Sequence, residues 1–155
     1  MKTKHLVQAS VIAAAYAAIT IALAPISYGI MQIRVSEALT VLPYFTPAAI
    51  PGLFVGCIIA NLISPYGLPD LILGSLASLV ASTISYRLRK TPLLVPLPPV
   101  VVNGIVIGAM LYFIYGLPVP LLACMGWVAL GQVVACYVIG YPLLCFLRKH
   151  ERIFA

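Results

Sequence analysis

Two ionisable residues stand three positions apart in the stretch MQIRVSEALTVLPYF, residues 31–45. Arg34 and Glu37 are conspicuous because the chain has only nine Lys/Arg and three Asp/Glu in 155 residues. A carboxylate can accept two parallel N–H bonds from a planar, amidine-like edge. The 2-amino-4-oxo edge of a guanine-like ring presents such a pair of donors. A neighbouring guanidinium can bind the ring's carbonyl oxygen or hold the carboxylate in place. The bland alternative is an interfacial ion pair at i, i+3, worth about a few tenths of a kcal/mol. An arginine on the outer side of a membrane opposes the usual orientation signal, which favours the ligand reading.

Other polar residues can contribute to the same chemistry. Asp70 can pair with a cationic substituent. Tyr28, Tyr44, Tyr66 and Trp127 offer faces on which a flat ring can stack, although Trp127, the only tryptophan, serves equally as an interfacial anchor. Asn103 and Gln132 lie deep in apolar stretches, where they either bond between helices or line a cavity. Asn61 suits a pocket wall. Ser75, Ser78, Ser82 and Ser85 are expected to bond their own helix carbonyls. There is no GxxxxGK[ST] loop for nucleotide hydrolysis. His5 and His150 are far apart, and Cys57, Cys124, Cys136 and Cys145 form no CxxC pair. Neither a metal site nor a cofactor is expected, and no nucleophile–base pair suggests an enzyme.

The elements that position these residues must be membrane helices. Hydrophobic residues make up 63% of the chain, charged residues 8%, and mean hydropathy is +1.14, against about 25% charged residues in a soluble domain. Pro- and Gly-punctuated apolar runs without alternation exclude a barrel, leaving an all-α integral membrane protein in one domain, residues 1–155. Five apolar stretches are visible: 6–28, 35–64, 71–86, 92–115 and 119–147. The basic residues cluster at Lys2 and Lys4, at Arg87, Arg89 and Lys90, and at Arg148, Lys149 and Arg152, a pattern of cytoplasmic flanks rather than nucleic-acid binding. For the first two clusters to share a compartment, the crossings between them must be even in number. Residues 35–64 must therefore go in and come back, bent near YFTPAAIP by Pro43, Pro47 and Pro51. Six membrane segments follow, at about 6–28, 35–47, 48–64, 70–87, 92–115 and 119–147. Both termini are cytoplasmic, and Arg34, Glu37 and Asp70 converge near the outer interface, within reach of water.

Two further patterns stand out. YGLP occurs at 66–69 and again at 115–118, as interfacial turns or as a roof over a site. Ala9, Ala13 and Ala17, with Ala14, Ala18 and Ala22, recur at every fourth position of the first helix. Such a stripe permits close helix contact, inside the bundle or with a separate membrane partner.

The blocks QIRVSEALTVLPYFTPAAIPGLFVGCIIANL, LPDLILGSLASLVA, PPVVVNGIVIG and GQVVACYVIGYPL resemble the queuosine-precursor transporter (QueT) family, substrate-binding S components of energy-coupling factor (ECF) transporters. The resemblance runs through almost the whole chain. It implies a six-helix bundle of the bacterial cell membrane that captures a 7-deazaguanine such as preQ1, preQ0 or queuine outside. Delivery inward, a form of vitamin uptake, would require a T component and two ATPase subunits. It further implies a pocket of Arg34, Glu37, Asn61, Asp70, Asn103 and Gln132, and a docking surface of Ala9, Ala13, Ala14, Ala17 and Ala18. A glutamate often stands in that family where this chain has Gln132, which weakens the case for a cationic solute such as preQ1. The competing expectations are a self-sufficient secondary transporter or channel for a polar heterocycle, and a non-transporting assembly subunit.

Overall fold

The computed structural model describes residues 3–28, 33–150 and 154. Lys2 and Arg152, assigned above to the cytoplasmic flanks, lie outside the described residues, as do Met31 and Gln32 of the opening stretch. Every regular element among the described residues is a helix. Helix α1, Thr3–Ala22, has 20 residues, about 30 Å at 1.5 Å per residue and so about the hydrocarbon thickness of a bilayer. It breaks at Leu23 and resumes as the single turn Ala24–Ser27, with Pro25 in its first positions.

Residues 35–64 form the expected hairpin, but its two arms differ in kind. Val35–Tyr44 is a 3₁₀ helix of 10 residues, whereas α2, Ala49–Asn61, is an α-helix of 13. Each is about 20 Å long. Helices α3 (Gly67–Arg87), α4 (Pro92–Phe113) and α5 (Leu121–Arg148) complete the bundle, and with α1 they are the four helices long and apolar enough to cross a membrane. Four of the six expected segments are therefore long enough to span, and the hairpin arms are each too short to do so alone. Two π turns interrupt the long helices, at Asp70–Gly74 in α3 and at Val134–Gly140 in α5.

The hairpin is pressed onto α1. Gly52 and Gly56 stand where a Cβ would come 2.8 Å from the Ala9 carbonyl oxygen and 2.9 Å from that of Ala13. Only glycine permits this approach, a small-against-small seam of the kind that holds helices together in lipid. Leu53, Cys57 and Ala60 of α2 then reach a core with Ile12, Tyr16 and Leu42. The seam corrects one expectation. Ala9, Ala13 and Ala17 are buried inside the bundle, leaving only Ala14 and Ala18 of the proposed docking set facing outward. One helix cannot turn both alanine rows to the same side, because successive residues rotate by about 100°.

Contacts sort the bundle into two ends. At one, Thr46 donates to Gln8 Oε1 at 3.0 Å, Tyr137 donates to the Leu93 carbonyl at 3.1 Å, and Arg148 lies 5.8 Å from the Tyr44 ring. Lys4, Arg87, Arg89, Lys90, Arg148 and Lys149 all flank those positions. At the other end, Tyr28 donates to the Ala60 carbonyl at 2.5 Å. There the two YGLP turns meet. Gly67 and Gly116 take φ of 58° and 59°, left-handed values suited to glycine. The Tyr66 and Tyr115 rings pack edge-on, 5.1 Å apart, and the Tyr115 hydroxyl donates to the Tyr66 carbonyl.

Candidate functional site

The site begins with the geometry of the 3₁₀ arm. At three residues per turn, positions i and i+3 eclipse one another, so Glu37 and Thr40 stack, and Arg34, the extended residue that caps the helix, precedes them in one polar row. The winding is visible where the Glu37 N–H donates to the Arg34 carbonyl at 2.9 Å. Thr40 donates its hydroxyl to the Glu37 carbonyl at 2.6 Å, and Pro43, lacking an N–H, sits near the end of the arm. Helix α1 grips the row from one side. The Tyr16 hydroxyl donates to Glu37 Oε1, and one turn on, Thr20 and Ser36 share a hydroxyl–hydroxyl bond of 2.6 Å. The π turn of α5 supports it from the other, with the Cys136 thiol 3.6 Å from the Glu37 carbonyl and 3.5 Å from Gln132 Oε1.

Arg34 does not pair with Glu37. Its Nη2 donates to Asp70 Oδ2 at 2.8 Å, the one ion pair among the described residues. Ser64 donates to the same oxygen at 2.6 Å, and Asn61 Nδ2 donates to the Asp70 backbone carbonyl at 2.9 Å. The guanidinium lies 5.5 Å from the Tyr28 ring centre. Nor do the charges reach water. Arg34, Glu37 and Asp70 are 4%, 1% and 0% exposed, because the 3₁₀ arm and its cap carry Arg34 and Glu37 into the bundle and the π turn of α3 holds Asp70 there. Asp70, expected to await a cationic substituent, is already engaged by Arg34 through one of its oxygens.

A cavity opens beside this row. It is lined by Arg34 and Glu37, by Gly74 and Ser78 of α3, by Asn103 and Ile107 of α4, and by Gln132 of α5. Its volume is about 10 Å³, room for about one water molecule. Two lining residues each carry a buried polar atom without a partner: the Nε donor of Arg34 and the Oε2 acceptor of Glu37. Buried polar atoms ordinarily find partners, so a donor and an acceptor without them on two residues of one lining make this cavity the candidate site.

Of the residues singled out from sequence, the structure brings Arg34, Glu37, Asn103 and Gln132 to the cavity. Asn61 and Asp70 form the layer behind Arg34. Two are elsewhere: Tyr44 packs at the basic end with Val41, Val95 and Leu144, and Trp127 is 45% exposed on the outer face of α5, in keeping with an anchor. Tyr16, Gly74, Ser78 and Ile107 were not foreseen. The serine ladder hid Ser78. Within it, Ser82 bonds its own helix at the Leu79 carbonyl, but Ser85 reaches across to Val95 and Ser78 faces the cavity.

The chain matches the QueT transporter family over residues 6–149. It belongs to that family. Over 81 residues it is 38% identical to the queuosine precursor transporter QueT of Lactococcus lactis subsp. cremoris (strain MG1363), covering 51% of this chain and 47% of that protein. The matched region thus spans about half the length of that relative. No solved structure matches. The family is described as one of transporters, and four helices long and apolar enough to cross a membrane accord with a multi-pass membrane protein.

Proposed function

We propose that this chain is the substrate-binding S component of an ATP-driven ECF importer, taking a 7-deazaguanine queuosine precursor such as preQ1, preQ0 or queuine into the cavity beside Arg34 and Glu37. Delivery inward then requires a T component and two ATPase subunits. The hairpin and four long helices act as six membrane segments in the bacterial cell membrane, with the basic end and both termini in the cytoplasm. The observation that carries this reading is an unpartnered Arg34 Nε and an unpartnered Glu37 Oε2 on two residues that line one cavity. The acceptor suits the ring's N–H edge and the donor its carbonyl. Glu37 Oε1 keeps its bond to Tyr16 and still has a second lone pair for the solute. A two-ring solute needs more than the room of one water, so the walls supplied by α3, α4 and α5 move apart as it enters. Ala14 and Ala18 are the part of the alanine face open to the T component.

Isothermal titration of the purified chain with preQ0, preQ1, queuine and guanine tests the proposal. Saturable binding of a 7-deazaguanine near 1:1 is expected, with uptake into vesicles only when the ATPase-bearing partners are present. Uptake by this chain alone, abolished by collapsing the proton gradient, would establish a self-sufficient transporter instead. If Arg34→Ala and Glu37→Ala change folding but no affinity, the assembly-subunit reading replaces it.

A further inference from the structure

Resting on the reading above, we propose that the cavity is built for a solute carrying one positive charge, so that among queuosine precursors a 7-aminomethyl cation is taken in preference to a neutral 7-cyano ring. Three ionisable side chains of opposing sign lie in this part of the bundle, and their charges do not cancel. The guanidinium of Arg34 is matched by the Asp70 carboxylate at 2.8 Å. Glu37 has no cation of its own. Its hydrogen bond comes from the neutral hydroxyl of Tyr16, and its other oxygen is buried without a partner. Gln132, on the cavity wall, is an amide and adds nothing to the sum. The remaining described cations, Lys4, Arg87, Arg89, Lys90, Arg148 and Lys149, flank the opposite end of the bundle. The 3₁₀ arm, about 20 Å long, separates them from Arg34.

Counted as an ionised carboxylate, Glu37 leaves the site with one negative charge in excess, in a setting where its exposure is 1%. A buried charge without a partner is costly, and Coulomb interactions there are stronger than in water. A monocationic solute completes the pairing, whereas a neutral solute leaves the excess in place. The cation need not sit on Glu37 itself. Asp70 Oδ1 is also unpartnered. It lies 2.9 Å from where a Cβ of cavity-lining Gly74 would stand, so no side chain intervenes at that position. The ring edge can thus meet Glu37 while the ammonium group faces Asp70, and the sum of charges is the same.

The test compares three ligands that share one ring: preQ1, preQ0 and the 7-hydroxymethyl analogue, which is close to preQ1 in shape but neutral. Titrated calorimetrically into the purified chain, preQ1 is expected to bind at least about tenfold more tightly than either neutral ligand, a difference of about 1.4 kcal/mol or more. In Glu37→Gln the preference should shrink to within about threefold, chiefly through weaker preQ1 binding. If that variant does not fold, the comparison of preQ1 with the hydroxymethyl analogue on the unaltered chain decides alone. Equal affinity for preQ1 and its neutral analogues overturns the charge assignment and leaves the deazaguanine reading intact. Absence of binding by every 7-deazaguanine overturns the deazaguanine reading, and this inference with it.

Discussion

The two arms of the hairpin have similar length and opposite work. The 3₁₀ arm is polar along one row, bonded by hydroxyls to α1, and holds two of the three interior charges. Helix α2 is apolar, and its glycines bring its backbone against α1. One arm is held by directional bonds that specify where atoms point, the other by contact that specifies only how near helices come. On the proposed function, recognition and cohesion are divided between neighbouring segments that run side by side through the same depth of the bundle. Family membership is consistent with this division but does not explain it. The physics does: a 3₁₀ helix stacks every third side chain, which makes a row, whereas four-residue glycine spacing on an α-helix makes a smooth face.

The division can be broken at its charged root. Arg34→Ala leaves Asp70 buried without its cation and is expected to cost about 3–5 kcal/mol. Thermal unfolding in detergent would register this, and adding Asp70→Asn should restore much of the loss; no restoration would show that the ion pair is incidental. The α2 arm should yield less but for a different reason. Gly56→Ala drives a methyl toward Ala13 and Tyr16 backbone and Cβ atoms at 2.9–3.0 Å, at a cost of about 1–3 kcal/mol. Solute affinity in the surviving folded protein should change less than it does in Tyr16→Phe. That variant removes one hydroxyl donor from Glu37 and is expected to cost about 1 kcal/mol of stability, while weakening 7-deazaguanine binding several-fold in the same titration. Unchanged affinity would mean that α1 does not set the orientation of Glu37. The smallest effect belongs to the lipid side of α2, where Ile59, 42% exposed, should accept valine within about 0.5 kcal/mol and with no change in binding.

The sequence revealed these arms unequally. Arg34 and Glu37 stood out because charge in an apolar run demands a reason. The in-and-back path of residues 35–64 followed from charge parity. The partners of the two residues were hidden. Nothing in hydropathy distinguishes Tyr16, whose hydroxyl meets Glu37, from the apolar neighbours it resembles. The 3₁₀ winding was equally invisible, since it shows in hydrogen bonding rather than in residue type. Had the spacing of Gly52 and Gly56 been read against Ala9 and Ala13, the inward alanine row could have been anticipated. Trp127 and Tyr44 show the opposite failure, because aromatic character alone does not say which side of a helix a ring occupies.

The π turn at Val134–Gly140 gives the chain's local length a meaning of its own. Gln132, just before the turn, stands on the cavity wall, and Gly140, at its end, packs against Ala38 of the 3₁₀ arm. Deleting one residue between them would let ordinary α-helical bonding run through and swing everything beyond by about 100°. Gln132 and Gly140 could then no longer both keep their places. A gap slid through this stretch when relatives are aligned therefore redraws the lining of the chamber, even where every amino-acid type is preserved.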